Sequence, residues 1–471
     1  MRSTKIVATI GPASREPRVL ERMIDAGLDI ARLNFAHGSS EEHAETVTRI
    51  RAASERVGRE VGVLQDVPGP KLRLGPMVAG RVELAADTSV VLTSEPVEGT
   101  AERLPIAWEG LSALMRSGDV IYLADGAIRL RVRDAADGEV LADVEIGGTV
   151  ASRQGINLPN VNMALPAVSE DDHRLIDDGI AMGVDIVALS FVRRREDLDP
   201  VREQLRAAGR AGVPLIAKIE KPQGAANAAE ILGAADGIMV ARGDLGIELP
   251  IAQVPLVQKR LLHLAGEHSK PAITATQMLE SMVNSTRPTR AEVTDVANAI
   301  FDGTDAVMLS QETAIGHDPV GVITMMAAIA ESTERELPYG RWLVERGIRS
   351  DDAASAISYG AVGAVYQLGL KAIVAPTISG GTARLISANR PNVPVLALSP
   401  ERDVVRRCSL YWGVLPVLHA DTQHTTELID ACAEAAIAAG VARPGERIGI
   451  TAGLPAGHSG GTNMFKVHTL E

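Results

Sequence analysis

The stretch that decides the fold is residues 214–248, PLIAKIEKPQGAANAAEILGAADGIMVARGDLGIE. Residues 214–219 and 237–241 are apolar runs of five or six residues. Such runs are typical of parallel strands that are buried on both faces. The segment between them has the length and composition of a connecting helix, so the stretch predicts a β-α-β unit.

Charged residues come at the end of both predicted strands. Lys218 and Glu220 end the first, and Arg242 and Asp244 follow the second. Because neighbouring parallel strands end at the same edge of a sheet, we expect these side chains to share one rim. A lysine beside two carboxylates suits a divalent cation next to an anionic group, which indicates phosphoryl or enolate chemistry.

The same pattern of an apolar, β-branched run leading into polar residues or glycine occurs eight times. The predicted strands are residues 5–10, 30–35, 61–67, 185–191, 214–219, 237–241, 271–276 and 306–310. Amphipathic helices are predicted after most of them, for example over 18–26, 40–57, 196–208 and 254–268. Eight alternating units of this kind predict a (β/α)₈ barrel, an α/β fold of the TIM-barrel type.

Two further regions depart from the barrel pattern. Between the third and fourth strands, residues 69–166 show short alternating runs broken by Gly, Pro and Asp, which predict a small inserted β-barrel domain acting as a lid. After residue 340, strands alternate with helices again and predict an open, doubly wound α/β domain. We therefore expect four segments: barrel over 1–68, lid over 69–166, barrel over 167–340 and C-terminal regulatory domain over 341–471.

Composition excludes several classes of protein. The 47 Lys and Arg against 60 Asp and Glu give a net charge of −13 without a basic tail, so neither nucleic acid nor an anionic membrane is an expected partner. The two cysteines, Cys408 and Cys432, lack metal-ligand spacing and are expected to be buried. No apolar run reaches the roughly 20 residues that span a bilayer, and the first predicted strand leaves no room for a signal peptide. The expected location is a reducing cytoplasm.

Active sites of such barrels lie at the carboxyl ends of the strands. The first strand ends in Gly11 and Pro12, and polar residues end the other seven: Arg32, Asn34, Asp66, Lys71, Arg73, Ser190, Arg193, Arg194, Lys218, Glu220, Arg242, Asp244, Thr276, Gln277, Ser310 and Glu312. Charged residues after one strand are usually solvated, but here polar groups converge from almost every strand. Together they predict an anionic substrate held by a metal ion, and hence a Mg²⁺-dependent enzyme acting on a phosphate or small carboxylate.

Two glycine-rich turns, residues 379–384 and 453–463, follow strands of the C-terminal region. Backbone N–H groups in such turns bind phosphate, especially where a helix begins. In the alternative, the glycines serve only ordinary turns that need a positive φ and bind no ligand. We favour a regulatory ligand that carries a phosphate group.

Several segments resemble the signature sequences of the pyruvate kinase family. They are TKIVATIGPAS (4–14), ARLNFAHG (31–38), KIE (218–220), DGIMVARGDLGIE (236–248), ATQMLESM (275–282) and RPTRAEVTDVANAIFDGTDAVMLSQETA (287–314). The resemblance extends in order over nearly the full chain. It implies a kinase of glycolysis that transfers the phosphoryl group of phosphoenolpyruvate to ADP, giving pyruvate and ATP. It also implies that the enzyme is allosteric and forms a homotetramer.

The resemblance also implies roles for individual residues. Glu220 and Asp244 resemble the ligands of Mg²⁺, for which Mn²⁺ substitutes. Lys218 resembles the lysine at the transferring phosphoryl group, and Arg32 and Arg73 resemble phosphate contacts. Gly243 and Thr276 match positions that contact the substrate in the family, and Ser310 matches a position on the proton path to the enolate. The positions that match nucleotide contacts are Pro12, Asn34, His37, Arg73 and Arg194.

Asn34 and Asp66 match positions that coordinate K⁺ in many relatives. The family's NFSHG is NFAHG here, so Ala36 removes a hydroxyl ligand, and Lys71 replaces a glutamate. We expect the Lys71 ammonium to take the electrostatic role of K⁺, which is then not required, because a site already supplied with cations repels another. In the alternative, Lys71 faces solvent and K⁺ still binds Asp66.

In the C-terminal domain, Thr377, Ser379, Gly380, Gly381 and Thr382 are the expected effector-phosphate residues. Ile378 stands where some bisphosphate-responsive relatives have a lysine, so we expect a monophosphate effector. Pro68, Ala164 and Gln311 also depart from the family pattern, near the lid hinge and the proton path.

Two alternatives to this function remain at the sequence level. One is another Mg²⁺-dependent barrel enzyme that stabilises an enolate, such as a phosphoenolpyruvate mutase or a citrate-lyase-like enzyme. The other is a metabolite sensor that has kept the fold and lost catalysis. The sensor would be expected to lose rim residues, whereas Lys218, Glu220 and Asp244 are all present.

Overall fold

The computed structural model describes residues 1–70, 72–106, 108, 110–159, 166–346, 352–420, 424–453 and 461–471. The first part of the chain supplies three parallel strands and two helices. They are β1 (Lys5–Thr9), α1 (Pro17–Ala26), β2 (Ile30–Asn34), α2 (Ser40–Val57) and β3 (Gly62–Val67). Helix α2 begins at a capping box between Ser39 and Glu42 and ends at Gly58, which has a φ of 73°.

An all-β inserted domain follows. Its elements are β4 (Arg81–Leu84), β5 (Ser89–Thr93), β6 (Arg103–Pro105), α3 (Leu111–Leu114), β7 (Val120–Leu123), β8 (Ile128–Ala136), β9 (Glu139–Ile146), β10 (Gly148–Ala151) and β11 (Ile156–Asn157). The strands pair as one six-stranded sheet, in the order β11-β7-β8-β9-β5-β6, and one two-stranded sheet of β10 and β4. Alternate residues such as Leu92, Leu130 and Val140 point into a core of its own.

The chain then completes the barrel. The elements are α4 (Glu170–Met182), β12 (Ile186–Leu189), α5 (Asp199–Ala207), β13 (Leu215–Ile219), α6 (Pro222–Ala226), α7 (Ala228–Ala234), β14 (Gly237–Ala241), α8 (Arg242–Glu248), α9 (Val254–Glu267), β15 (Ala272–Ala275), α10 (Arg290–Asp302), β16 (Ala306–Leu309), α11 (Gln311–Ala314) and α12 (Pro319–Glu334). All neighbouring barrel strands are parallel, in the closed order β1-β16-β15-β14-β13-β12-β3-β2. The predicted (β/α)₈ barrel is confirmed.

The C-terminal domain is an open α/β sheet. Its elements are α13 (Tyr339–Arg346), α14 (Ala353–Leu368), β17 (Ile373–Pro376), α15 (Gly381–Ala388), β18 (Val395–Ser399), α16 (Arg402–Cys408), β19 (Val414–Leu418), α17 (Thr425–Ala438), β20 (Arg447–Ala452) and β21 (Met464–Thr469). The sheet order is β19-β18-β17-β20-β21. Strand β21, which the sequence did not predict, pairs antiparallel with β20 at the sheet edge.

Apolar side chains that point into the barrel form one cluster in its interior. This interior cluster contains Val7, Ile30, Leu64, Ile186, Ala188, Ile216, Met239, Ile273, Ala275, Ala306 and Met308, and it is completed by Leu410 from the C-terminal domain. Hydrocarbon thus closes one mouth of the barrel. The polar residues at the carboxyl ends of the strands lie at the opposite mouth. No helix in the described ranges combines the length and apolar character needed to cross a membrane.

Candidate active site

Lys218 is the centre of a buried polar cluster at the carboxyl end of β13. Its Nζ donates to Asp66 Oδ1 at 2.8 Å and to Ser190 Oγ at 2.6 Å, and it lies 3.0 Å from Glu220 Oε1. Burial alone would lower the pKa of Lys218, but the carboxylates of Asp66 and Glu220 outweigh it and raise the pKa above its usual value. The lysine is therefore a fixed cation.

Asp66 divides its two carboxylate oxygens between two cations. Oδ1 accepts from Lys218, and Oδ2 accepts from Arg32 Nε at 2.7 Å. Arg32 also donates through Nη1 to Thr9 Oγ1 at 2.8 Å, so strands β1, β2 and β3 all hold it. Burial would raise the pKa of Asp66, yet Lys218 and Arg32 lower it, so the carboxylate stays ionised.

Glu220 and Asp244 are the two carboxylates that the sequence predicted as metal ligands. Glu220 follows β13, is 1% exposed, and accepts the Phe191 N–H through Oε2 at 2.8 Å. Asp244 lies in the first turn of α8, directly after β14. Burial raises the pKa of Glu220, the neighbouring carboxylates of Asp244 and Asp66 raise it further, and Lys218 opposes them. A cation between Glu220 and Asp244 would relieve this repulsion.

Thr276 lies at the carboxyl end of β15 with a φ of 72°, a strained conformation for a β-branched residue. Its Oγ1 accepts from Gly243 N at 2.7 Å and donates to the Ala275 carbonyl at 2.6 Å. Arg242 donates to the Thr276 carbonyl at 2.6 Å and pairs with Asp295 at 2.7 Å. These contacts fix the Thr276 hydroxyl beside the helix that carries Asp244.

Ser310 is the N-cap of α11 at the end of β16. Its N–H donates to Glu312 Oε2 at 2.6 Å, and the fully buried Glu312 also accepts from Leu279 N at 3.1 Å. Glu312 thereby ties the segment after β16 to the segment after β15.

Known proteins of one family match this chain over nearly its whole length. A family model described as "Pyruvate kinase, barrel domain" matches residues 1–323, and one described as "Pyruvate kinase, alpha/beta domain" matches residues 355–468. The chain belongs to the pyruvate kinase family. The pyruvate kinase of Geobacillus stearothermophilus is 43% identical over 472 residues, which cover 100% of this chain and 80% of the relative. The pyruvate kinases of Staphylococcus saprophyticus and Staphylococcus aureus are each 43% identical over 473 residues, covering 100% of this chain and 81% of theirs.

Membership of the pyruvate kinase family makes the chain a phosphotransferase, as the sequence predicted. The predicted residues Arg32, Asp66, Lys218 and Glu220 are joined by direct contacts in one buried cluster. Gly243 and Thr276 contact each other on the neighbouring strand ends. Their roles in substrate binding remain proposals.

The carboxylate pair fits the divalent metal of a pyruvate kinase. Within the described ranges, no group of three or more His, Cys, Asp or Glu side chains is arranged to hold a metal. Two carboxylates would leave most of the coordination shell to water and substrate oxygens. Mg²⁺ is typically bound in this way, since it keeps several waters and uses one or two carboxylates together with substrate phosphates.

Three of the predicted nucleotide-binding residues, Pro12, His37 and Arg194, follow barrel strands and are exposed. Pro12 is in the turn after β1, and His37 is in the turn after β2, where its N–H donates to Asn34 O at 3.2 Å. Arg194 is exposed and donates through Nε to Asp197 at 3.4 Å. The structure thus places these residues on the outer part of the same mouth.

Arg73 is the one predicted catalytic arginine that the structure leaves outside the cluster. It lies on the inserted domain, where its exposed guanidinium donates to the Arg153 carbonyl at 3.3 Å. Movement of the inserted domain would have to bring it to a phosphate. Lys71 and Ala164, two of the residues that depart from the family pattern, lie outside the described residues.

The predicted effector residues form a turn at the start of α15. Thr377 Oγ1 accepts from Gly380 N at 2.9 Å, and Gly380 has a φ of 86°. Thr382 Oγ1 lies 2.7 Å from Thr462 Oγ1, so the second glycine-rich segment reaches this turn at that residue. Ser379 is exposed beside it. Residues 454–460 of that segment are not among the described residues.

Sequence reasoning missed Thr9, which holds Arg32 from β1. The signal available was a threonine at the end of an otherwise apolar strand, and it does not distinguish a ligand of arginine from a packed β-branched residue.

Proposed function

We propose that the chain transfers the phosphoryl group of phosphoenolpyruvate to ADP and forms pyruvate and ATP. The observation that carries this proposal is the Lys218 ammonium, which is buried at the open mouth of the barrel and held by Asp66, Ser190 and Glu220. A cation fixed in this way is suited to offsetting charge on the transferring phosphoryl group.

In the proposed reaction, Lys218 and Arg32 bind the phosphoryl oxygens, with Arg73 joining them from the inserted domain. Asp66 and Ser190 keep the Lys218 ammonium oriented, and Thr9 does the same for Arg32. Gly243 and Thr276 line the position of the enolate, and Ser310 belongs to the path that brings a proton to its methylene carbon. Pro12, Asn34, His37, Arg73 and Arg194 surround the nucleotide.

Glu220 and Asp244 would hold Mg²⁺, or Mn²⁺ in its place. An ion held by these two carboxylates would offset the negative charge of the substrate's phosphoryl and enolate oxygens. Activity should therefore be lost on chelation with EDTA and return with either ion.

A coupled assay with Mg²⁺ tests the proposal directly. We expect ATP and pyruvate to form from phosphoenolpyruvate and ADP. Phosphoenolpyruvate consumed without ATP would favour a mutase or another enolate-stabilising enzyme, and tight phosphoenolpyruvate binding without turnover would favour a sensor. Either result would refute the proposed function.

We also propose that K⁺ is not required. Both oxygens of Asp66 are already paired with cations, so this carboxylate has little charge to offer a monovalent ion. Lys71 is the proposed source of the additional positive charge. Activity in tetramethylammonium chloride should match that in KCl, and Lys71→Glu should create a dependence on KCl. A large KCl stimulation of the unmodified enzyme would contradict the proposal.

For regulation, we propose a monophosphate effector at the turn formed by Thr377, Ser379, Gly380, Gly381 and Thr382, in a homotetramer. The first turn of α15, which begins at Gly381, presents backbone N–H groups at this turn. Activity measured across a panel of monophosphates and bisphosphates identifies the effector, and light scattering after gel filtration gives the oligomeric state. Thr382→Ala should weaken the response to the effector without changing basal activity.

A further inference from the structure

A second buried ion pair lies beside the proposed metal carboxylates. Lys221 Nζ contacts Glu248 Oε1 at 2.9 Å, with side-chain exposures of 8% and 1%. Lys221 directly follows Glu220, and Glu248 is the last residue of α8, the helix that carries Asp244 in its first turn. The pair therefore connects the backbone segment of one proposed metal ligand to the helix of the other.

The inserted domain reaches the same carboxylate. Asn157 in β11 donates through Nδ2 to Glu248 Oε1 at 3.4 Å, and it is 3% exposed. Its Oδ1 is buried and has no hydrogen-bond partner among the described residues. Asn157 pairs with Tyr122 of β7, and so belongs to the main sheet of the inserted domain.

A second contact brings the inserted domain against α8. The turn at Ala124–Gly126 packs on this helix, and a Cβ at Gly126 would lie 3.5 Å from Ile247 Cγ1. The inserted domain thus approaches α8 at Glu248, through the Asn157 amide, and at Ile247, beside Gly126.

The other side of the pair is held by Phe191. The Lys221 ammonium lies 6.0 Å from the centroid of the Phe191 ring, and Phe191 N donates to Glu220 Oε2 at 2.8 Å. Phe191 has a φ of 56°, which is unusual for an aromatic residue. Phe191 therefore contacts the proposed metal ligand Glu220 through its backbone N–H and faces the neighbouring Lys221 with its ring.

A buried ion pair adds little net stability compared with apolar residues of the same size, whereas removing one partner is costly. It does fix the relative position of the elements that carry it. We propose that Asn157, Lys221 and Glu248 form a latch, meaning that their contacts couple the position of the inserted domain on α8 to the distance between the Glu220 and Asp244 carboxylates. This inference rests on the proposed function, and the three are positioning residues, since they act through the carboxylates.

The proposal is tested with Asn157→Ala, which removes the contact from the inserted domain and leaves the ion pair. Two readouts are measured without substrate: hydrogen exchange of the β11 and β7 amides, and Mn²⁺ affinity from the electron spin resonance signal of free Mn²⁺. We expect faster exchange and about 10-fold weaker Mn²⁺ binding, the effect typical of residues that orient metal ligands.

Asn389→Ala is the matched control. Asn389 is also 3% exposed, and its Oδ1 also has no partner in the described part of the chain, but it lies in the C-terminal domain. It should change neither readout. A change in exchange alone for Asn157→Ala, or in neither readout, would overturn the latch.

Glu248→Gln supplies a second test, since it removes the charge and keeps the shape. If it folds, Mn²⁺ affinity should fall at least as far as in Asn157→Ala, and an unchanged affinity would refute the coupling. Because both readouts need no turnover, they are separate from the proposed function, which fails only if the unmodified enzyme forms no ATP.

Discussion

Lys218 is held by three oxygen atoms of the protein itself, from Asp66, Ser190 and Glu220. Burying an ammonium group costs several kcal/mol unless it is paired, and here two carboxylates offset that cost. Arg32 is fixed in the same way by Asp66 and Thr9. Two cations that are oriented in advance need no reorganisation when charge develops on a phosphoryl group, which is the usual origin of electrostatic catalysis.

Replacing Lys218 with Met should lower kcat by about 10³-fold, because it removes the fixed charge proposed to act on the transferring group. The measurement is the steady-state assay of ATP formation, together with urea unfolding to show that the variant is folded. Lys259→Met is the control, because Lys259 is 55% exposed and pairs with Asp302 away from the barrel mouth. A loss of less than 10-fold for Lys218→Met would contradict the assigned role.

Residues at strand ends were predictable, and residues whose position depends on a loop were not. Lys218, Glu220 and Asp66 extend from barrel strands, so the strand pattern alone placed them at one mouth. Arg73 is on the inserted domain, and its position depends on where that domain sits. Local sequence does not encode that position, because it results from contacts such as that between Asn157 and Glu248.

At the scale of elements, the strands of the barrel were predictable because each is an apolar run buried on both faces. The strands that sequence missed are short or partly exposed. Strand β11 has two residues, β6 has three, and β21 is an edge strand with no fully buried residue. Such strands are set by pairing with a neighbour instead of by their own hydrophobic pattern.

The start of β2 is fixed by Asp29, which is 5% exposed. Its carboxylate accepts the Ile6 N–H of β1 at 2.8 Å and pairs with Arg2 and Arg59, each at 2.7 Å. Burial alone would raise the pKa of Asp29, but Arg2, Lys5 and Arg59 lower it to about 2. The interaction therefore stabilises β1, β2 and the loop after α2 as one unit.

Asp29 should make stability depend on pH in the acid range. Between pH 4 and pH 2 the unfolded chain binds a proton on Asp29 while the folded chain does not, so stability is lost as pH falls. The loss attributable to this carboxyl should reach about 2 kcal/mol. Urea unfolding of the unmodified protein and of Asp29→Asn at several pH values measures it. Parallel pH curves for the two proteins would rule out this contribution.

At the scale of the whole molecule, the C-terminal domain covers the mouth of the barrel that lies opposite the carboxyl ends of the strands. Leu410 completes the interior cluster, and Lys5 Nζ donates to the Val414 carbonyl at 2.6 Å. Arg390 donates to Gly303 O at 2.6 Å, pairs with Asp305 at 3.0 Å, and lies 5.1 Å from the Trp412 ring centroid. This contact was not predictable from the sequence, since arginines that follow a helix are usually solvated.

The pair of Arg390 and Asp305 should make the two domains unfold together. Asp305 is 6% exposed, and its Oδ2 also accepts from Ala272 N at 2.9 Å, so Arg390→Met leaves a buried carboxylate without its cation. We expect a loss of about 3–5 kcal/mol in unfolding free energy. The double variant with Asp305→Asn should recover part of it, because the unpaired charge is gone.

Urea unfolding followed by fluorescence, combined with calorimetry, measures this loss. Lys371→Met is the control, because Lys371 is 53% exposed and its pair with Glu446 lies within the C-terminal domain at 3.8 Å, where an exposed pair contributes less than about 1 kcal/mol. If Arg390→Met unfolds in two separate transitions, this ion pair couples the barrel to the C-terminal domain. A single transition with unchanged stability would contradict the prediction. It would mean that apolar contacts such as that of Leu410 hold the two domains together without the ion pair.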